Sequence, residues 1–173
     1  LQVPLLAFAG APFTVGSYLV EGKPSRDHLI TKQMMRTDTA LWNQLMQRLA
    51  EHAVASIGSQ LDAGARAFQL FDSWAGNLTV DEYRRHVLPF STFVFEQLAN
   101  THPHARGIHF GLGCDHLLEL MQQAGATIIG LDWRTSISDA RKRLGADTVI
   151  QGNLNPELVL GDFVNEEDGD WVW

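Results

Sequence analysis

Ala67-Phe68-Gln69-Leu70-Phe71-Asp72-Ser73-Trp74-Ala75-Gly76 is the stretch that decides the fold. Ala67–Phe71, apolar but for Gln69, reads as a buried strand; an acid, a hydroxyl, an indole and two small residues follow at once. A strand apolar on both faces belongs in a parallel sheet covered by helices or closed into a barrel. In such proteins the residues just past a strand's C-terminal end build the functional site.

Four further short apolar runs read as strands: Pro4–Ala9, Gly107–Phe110, Thr127–Leu131 and Thr148–Gln151. Longer helical patterns lie between them. Trp42, Leu45, Met46, Leu49, Ala53, Ile57 and Leu61 form one apolar stripe, which predicts a helix over 39–63 stopped by Gly64. Thr79 and Glu82 form a capping box, and Pro89 predicts a kink in the helix that follows. A third helix is predicted over 115–124 and a short fourth between Ser138 and Gly145. A weak repeat supports this register. Ala63-Gly64-Ala65, Ala124-Gly125-Ala126 and Gly145-Ala146 each lead into a strand that ends at a polar residue, respectively Asp72, Asp132 and Asn153.

This alternation predicts an α/β fold with a parallel sheet. An open doubly wound sheet should carry a glycine-rich phosphate loop after its first strand. Here that turn reads Gly10-Ala11-Pro12-Phe13-Thr14-Val15-Gly16, without the G-x-G-x-x-G spacing, and Pro12 removes a backbone donor. The barrel is therefore preferred. A complete (β/α)8 TIM barrel takes about 250 residues, so 173 residues correspond to about five βα units. Residues 1–160 are expected to form this partial barrel. The acidic stretch 161–173, which has no packing period, is expected to be a separate tail, and the chain to be a piece of a longer protein.

Composition narrows the function. The formal net charge of −7 argues against a nucleic-acid partner, which needs a basic face, but leaves room for an anionic substrate held by local arginines. The single Cys114 excludes an internal disulfide and fits a reducing compartment. No apolar run approaches the ~18 residues of a membrane span, and Leu1-Gln2-Val3-Pro4 has no secretory pattern, so the expected location is cytoplasmic, without membrane association.

Candidate chemistry sits at the strand ends. Asp72, Asp132 and Asn153 can each be a cap or a functional group. Ser73 has no nucleophile elbow around it and no histidine at a telling spacing, so it reads as a hydrogen-bonding group for a ligand, rimmed by Trp74 and Gly76. Tyr18 reads equally as a half-buried core tyrosine or a ligand contact. His109, Cys114 and His116 are spaced five and two apart, which fits no usual zinc pattern, so no metal site is expected. His28, His52, His86, His102 and His104 read as surface residues, and Arg141-Lys142-Arg143 as a solvated face.

Several segments, taken in order, resemble uroporphyrinogen decarboxylases. They are Phe8-Ala9-Gly10-Ala11-Pro12-Phe13-Thr14 with Ser17-Tyr18-Leu19-Val20-Glu21-Gly22, and Gln69 to Gly76. His109-Phe110-Gly111 with His116-Leu117-Leu118, then Gly130-Leu131-Asp132-Trp133-Arg134, then Gln151-Gly152-Asn153-Leu154 continue the series. Asn155 stands where the family usually has aspartate, and the likeness stops after Leu160. The resemblance implies a (β/α)8 barrel, usually a cytoplasmic homodimer, that uses no cofactor. It implies removal of four acetate carboxyl groups from uroporphyrinogen III, giving coproporphyrinogen III on the route to haem. Tyr18 and Ser73 are implied to line the cleft and hydrogen-bond the tetrapyrrole or its carboxylates; Phe13 and Trp74 are weaker candidates for apolar walls. The family's R-x-x-x-R arginine pair, its essential aspartate and a late histidine have no counterpart here, so the catalytic residues are not assigned in this chain and the chain alone is expected to be inactive.

Two other readings compete. Zinc-dependent methyltransferases share the architecture but need an H-x-C pattern at the strand end, where this chain has Gly111. A truncated, non-catalytic barrel fragment would self-associate through its open strand edges.

Overall fold

A computed structural model describes residues 3–161; the acidic tail lies outside the described residues. Five strands form one parallel sheet in the order β1-β2-β3-β4-β5: β1 Leu6–Gly10, β2 Ala67–Phe71, β3 Arg106–Phe110, β4 Ile128–Gly130 and β5 Val149–Gln151. Consecutive order without reversal is the decisive feature. Right-handed crossovers then place every helix on the same side of the sheet, as in a barrel wall, whereas a doubly wound sheet reverses at a switch point.

The two faces of the sheet differ accordingly. Phe68, Leu70, His109 and Ile129 share the helix-covered face and are buried. The opposite face carries Leu6, Phe8, Phe71 and Phe110, where Phe8 meets Phe71 and Phe71 meets Phe110 edge to face, with centroids 6.2 and 6.0 Å apart. That face is the inner wall of the barrel, and in this chain Phe8 is 61% and Val149 56% exposed.

The helices follow the crossovers. Between β1 and β2 run α1 Pro12–Glu21, α2 Leu29–Thr37 and α3 Thr39–Asp62. The α3 stripe buries Trp42, Met46, Ala53 and Ile57, and the Trp42 indole donates to the His86 carbonyl at 3.0 Å. Next come α4 Val80–His86 and α5 Leu88–Thr101; the expected capping box at Thr79 and Glu82 is present. Pro89 separates two helices instead of kinking one. It sits in the first turn of α5, where a missing N–H costs nothing. The third predicted helix opens as a 3-10 turn, Asp115–Leu117, before α6 Leu118–Gln123. The fourth, α7 Ile137–Leu144, starts two residues earlier than expected, because Ser136 and not Ser138 accepts from the Asp139 N–H. α8 Pro156–Gly161 ends the described chain.

Two helices escape the sequence reading. α1 begins at Pro12, inside what reads as a turn, and runs unbroken through Gly16; α2 has a small apolar face and the left-handed residue His28 at its N-cap (φ 50°). The first strand also lies later than expected, at Leu6–Gly10. Its open edge is covered from within the chain: the Gln60 side chain of α3 accepts from Phe8 N–H at 3.1 Å and donates to Phe8 C=O at 3.0 Å.

Candidate substrate-binding site

The loops after the strands are tied to one another in series. At the first tie, Thr14 in the opening turn of α1 donates its hydroxyl to Asp72 Oδ1 (3.0 Å) and accepts the Trp74 N–H (3.3 Å). Thr14 and Asp72 are both buried, so this bridge clamps the β2 loop, with Ser73 between its two anchor points. At the second tie, the β2 loop lies on the backbone of the β3 loop. A methyl group built on Gly76 would stand 2.2 Å from Leu112 C=O, and His116 Nε2 lies 2.8 Å from Leu78 C=O. At the third, Gly113 N–H donates to Asp132 Oδ2 at 2.6 Å. At the fourth, Asn153 Nδ2 donates to Asp132 C=O at 3.1 Å and to Thr135 C=O.

This series settles the role of the polar strand-end residues. Asp72, Asp132 and Asn153 act as ties, each engaged by backbone or by a buried hydroxyl. Asp132 also accepts Arg134 N–H and Nη1–H (3.0 and 2.9 Å), while the Arg134 guanidinium lies 3.9 Å from the Trp133 ring centre. Asp72 is held through Oδ1 alone: its Oδ2 is buried without a hydrogen-bond partner, 3.7 Å from Nε2 of the equally buried His109.

Two hydroxyls remain. Tyr18 is half exposed on α1, and Ser73 is partly exposed after β2. Among the described residues neither side-chain hydroxyl has a hydrogen-bond partner. The Tyr18 ring lies on Trp74, with centroids 3.8 Å apart, so helix α1 and the β2 loop bring the two sequence candidates to one end of the sheet. Trp74 thus lies against Tyr18 and next in sequence to Ser73. Phe13 does not reach them: it is fully buried between Trp42 and His28, at 6.2 and 6.5 Å, and belongs to the core.

His28 is also misread from sequence. It is 1% exposed, and its ring lies 4.4 Å from Trp74. No local pattern marks it, because its burial comes from Phe13 of α1 and from Trp74 in the β2 loop, more than forty residues away. Arg143 is likewise not simply solvated; it donates to Glu119 and Asp115 and joins α7 to α6.

His109, Cys114 and His116 do not converge. His109 lies on the helix side against Phe95 (5.2 Å), and His116 is engaged with Leu78. Burial pushes the Cys114 thiol well above its ordinary pKa, away from the thiolate a metal needs. Among the described residues no group of three metal-ligating side chains comes together. Hollows lined by Leu61, Arg66 and His102, and by Gln122, Leu144 and Thr148, lie at the strand starts, the end of a barrel that serves stability.

The strand order and the laced strand ends define a β/α-barrel protein, with the candidate residues gathered beyond the C-terminal ends of the strands. The solved methyltransferase from Methanosarcina mazei shares this fold, with a TM-score of 0.76 at 18% identity over 89% of this chain and 44% of that one. The family model described as uroporphyrinogen decarboxylase matches residues 1–166. The uroporphyrinogen decarboxylase of Salinispora tropica is 50% identical over 92% of this chain and 43% of its own length. That of Streptomyces griseus is 51% identical over 91% of this chain and 42% of its own. The chain belongs to the uroporphyrinogen decarboxylase family, and it spans less than half the length of these curated relatives.

Proposed function

We propose that this chain supplies part of the substrate wall for the cofactor-free decarboxylation of uroporphyrinogen III to coproporphyrinogen III. Tyr18 and Ser73 are the groups that hydrogen-bond the tetrapyrrole or its carboxylates. The observation that carries this reading is that the Tyr18 ring on α1 lies on Trp74, the neighbour of Ser73 in a β2 loop pinned by the Thr14–Asp72 bridge, at the end of the sheet where a barrel builds its site. A hydroxyl bonded to a carboxylate contributes about 1.5–3 kcal/mol.

Loss of CO2 from an acetate on a pyrrole needs a protonated ring to receive the electron pair. A carboxylate facing the pyrrole N–H groups would stabilise that cation, worth several kcal/mol in a dry cleft. Asp72 is fully buried and Asp132 is held by Gly113 and Arg134, so neither is free for this task. The chain by itself therefore binds without turning over. The enzyme is read as a cytoplasmic homodimer without nucleic-acid or membrane partners, on the family resemblance, the single cysteine and the net charge of −7.

Anaerobic incubation of the gel-filtered chain with uroporphyrinogen III, with products separated by carboxyl number, tests this. Only the eight-carboxyl compound is expected. Seven- to four-carboxyl products would place the catalytic groups within these residues. The exposed Phe8 and Val149 favour a second reading, self-association of the chain through its inner face, which sedimentation velocity decides.

A further inference from the structure

Trp74 touches two rings, and only one of them belongs to the site described above. The other is His28, from the N-cap of α2, at a centroid distance of 4.4 Å and an interplanar angle of 36°. Its backbone is in the left-handed region (φ 50°, ψ 43°), sparsely populated for residues other than glycine; such strain persists only where the surroundings enforce it. Here they do. His28 N–H donates to the Ser25 hydroxyl at 3.1 Å, and the next turn is held by Glu21, which accepts Thr31 N–H and the Thr31 hydroxyl at 2.9 and 3.0 Å. Glu21 ends the helix that carries Tyr18, so the strained residue is anchored to α1 on one side and lies against the β2 loop on the other.

We propose that His28 is a positioning residue: its ring, packed on Trp74, fixes the indole, and the indole fixes Tyr18 for the carboxylate-bearing tetrapyrrole. The assignment of the ligand rests on the function proposed above; the ring contacts do not. The imidazole is buried with Nδ1 unpaired. Burial lowers its affinity for a proton. Glu21 on α1 and Asp27 in the loop oppose that shift and Lys32 on α2 adds to it, and burial prevails. The sign follows. A histidine whose packed form binds protons less readily than its released form keeps its packing above its ordinary pKa of 6.5 and loses it as the pH falls through the lower packed value.

The test reads Trp74 directly, as the difference in emission and near-UV circular dichroism between the chain and its Trp74→Phe variant, between about pH 7.5 and about pH 5. The Trp74 signal is expected to change on acidification with a midpoint below 6.5, as His28 gains a proton. His28→Phe keeps a ring and should retain the signal with no pH step. His28→Gly relieves the backbone but removes the ring; it should lose the Trp74 signal at every pH and weaken uroporphyrin binding about tenfold, with far-UV dichroism unchanged. His28→Phe should restore that binding. A wild-type Trp74 signal in His28→Gly, or a pH step that persists in His28→Phe, would overturn the proposal. If the Trp74 signals behave as expected while no variant, nor the chain itself, binds uroporphyrin, the positioning role stands and the substrate assignment is what fails.

Discussion

Gly76 and Gly58 should respond to alanine with opposite signs, and the difference can be worked from the structure. A Cβ on Gly76 would stand 2.2 Å from Leu112 C=O and 2.8 Å from Gly113 C=O, where ordinary contact is 3.4–4 Å. Both obstacles are backbone, and the β3 loop cannot retreat freely, because Gly113 N–H is bonded to Asp132 and His116 to Leu78. Overpacking of this kind costs about 1–3 kcal/mol. Loss of the hydrogen bond to the Asp132 carboxylate adds about 1.5–3 kcal/mol. Gly76→Ala should therefore destabilise by about 2.5–6 kcal/mol, or about 5–24 °C in Tm for a domain of this size. Gly58 lies inside α3, where a methyl group would meet only His102 Cε1 at 3.6 Å. Alanine there relieves the glycine penalty and should stabilise by about 0.5–1 kcal/mol. Thermal and urea unfolding followed by far-UV dichroism measures both. Gly76→Ala within about 0.5 kcal/mol of the parent, or a shift of the same sign in both variants, would refute the inferred contact between the loops.

Three further outcomes are expected. Thr79→Ala removes the acceptor for Glu82 N–H and should cost about 1 kcal/mol, with Thr79→Ser close to the parent; equal losses in both variants would show that the cap is not the cause. Burial opposes ionisation of Glu82, but Thr79 N–H, the Thr79 hydroxyl and Arg36 outweigh it and hold the carboxyl below its ordinary 4.5, so the stability it contributes is present above about pH 4.5 and lost as pH falls through the folded value. Glu82→Gln should flatten that part of a urea midpoint-versus-pH curve, and an unchanged acid limb would count against the assignment. Gln60→Ala uncovers the Phe8 backbone and should cost about 1–3 kcal/mol while raising sedimentation-detected self-association; a monomer of unchanged stability would mean the edge needs no cover.

What the sequence revealed was what repeats locally. Ala67–Phe71 is a strand with the expected ends, the α3 stripe is buried as its period requires, and the Thr79–Glu82 box is present, because each is encoded within a few neighbours. The errors fall where a distant contact decides. α1 lacks a side-chain cap and contains Gly16, yet forms because Phe13 is buried against Trp42 of α3. His28 looks exposed in a polar segment, and Phe13 of α1 and Trp74 of the β2 loop together bury it. Asp72 reads as either a cap or a functional group until Thr14, fifty-eight residues earlier, is seen to donate to it. Tyr18 and Ser73 are legible as candidates, but the contact of Tyr18 with Trp74, the neighbour of Ser73, needs the fold.

The most direct measurement is calorimetric titration of the folded chain with uroporphyrin III, the oxidised form of the proposed substrate, beside the Tyr18→Phe/Ser73→Ala double variant. Two lost hydrogen bonds to charged groups, at about 1.5–3 kcal/mol each, should weaken binding at least about a hundredfold. Saturable binding by the parent chain that collapses in the double variant is the predicted result. Equal affinity in the two proteins would contradict the assignment of Tyr18 and Ser73 as the substrate-holding groups.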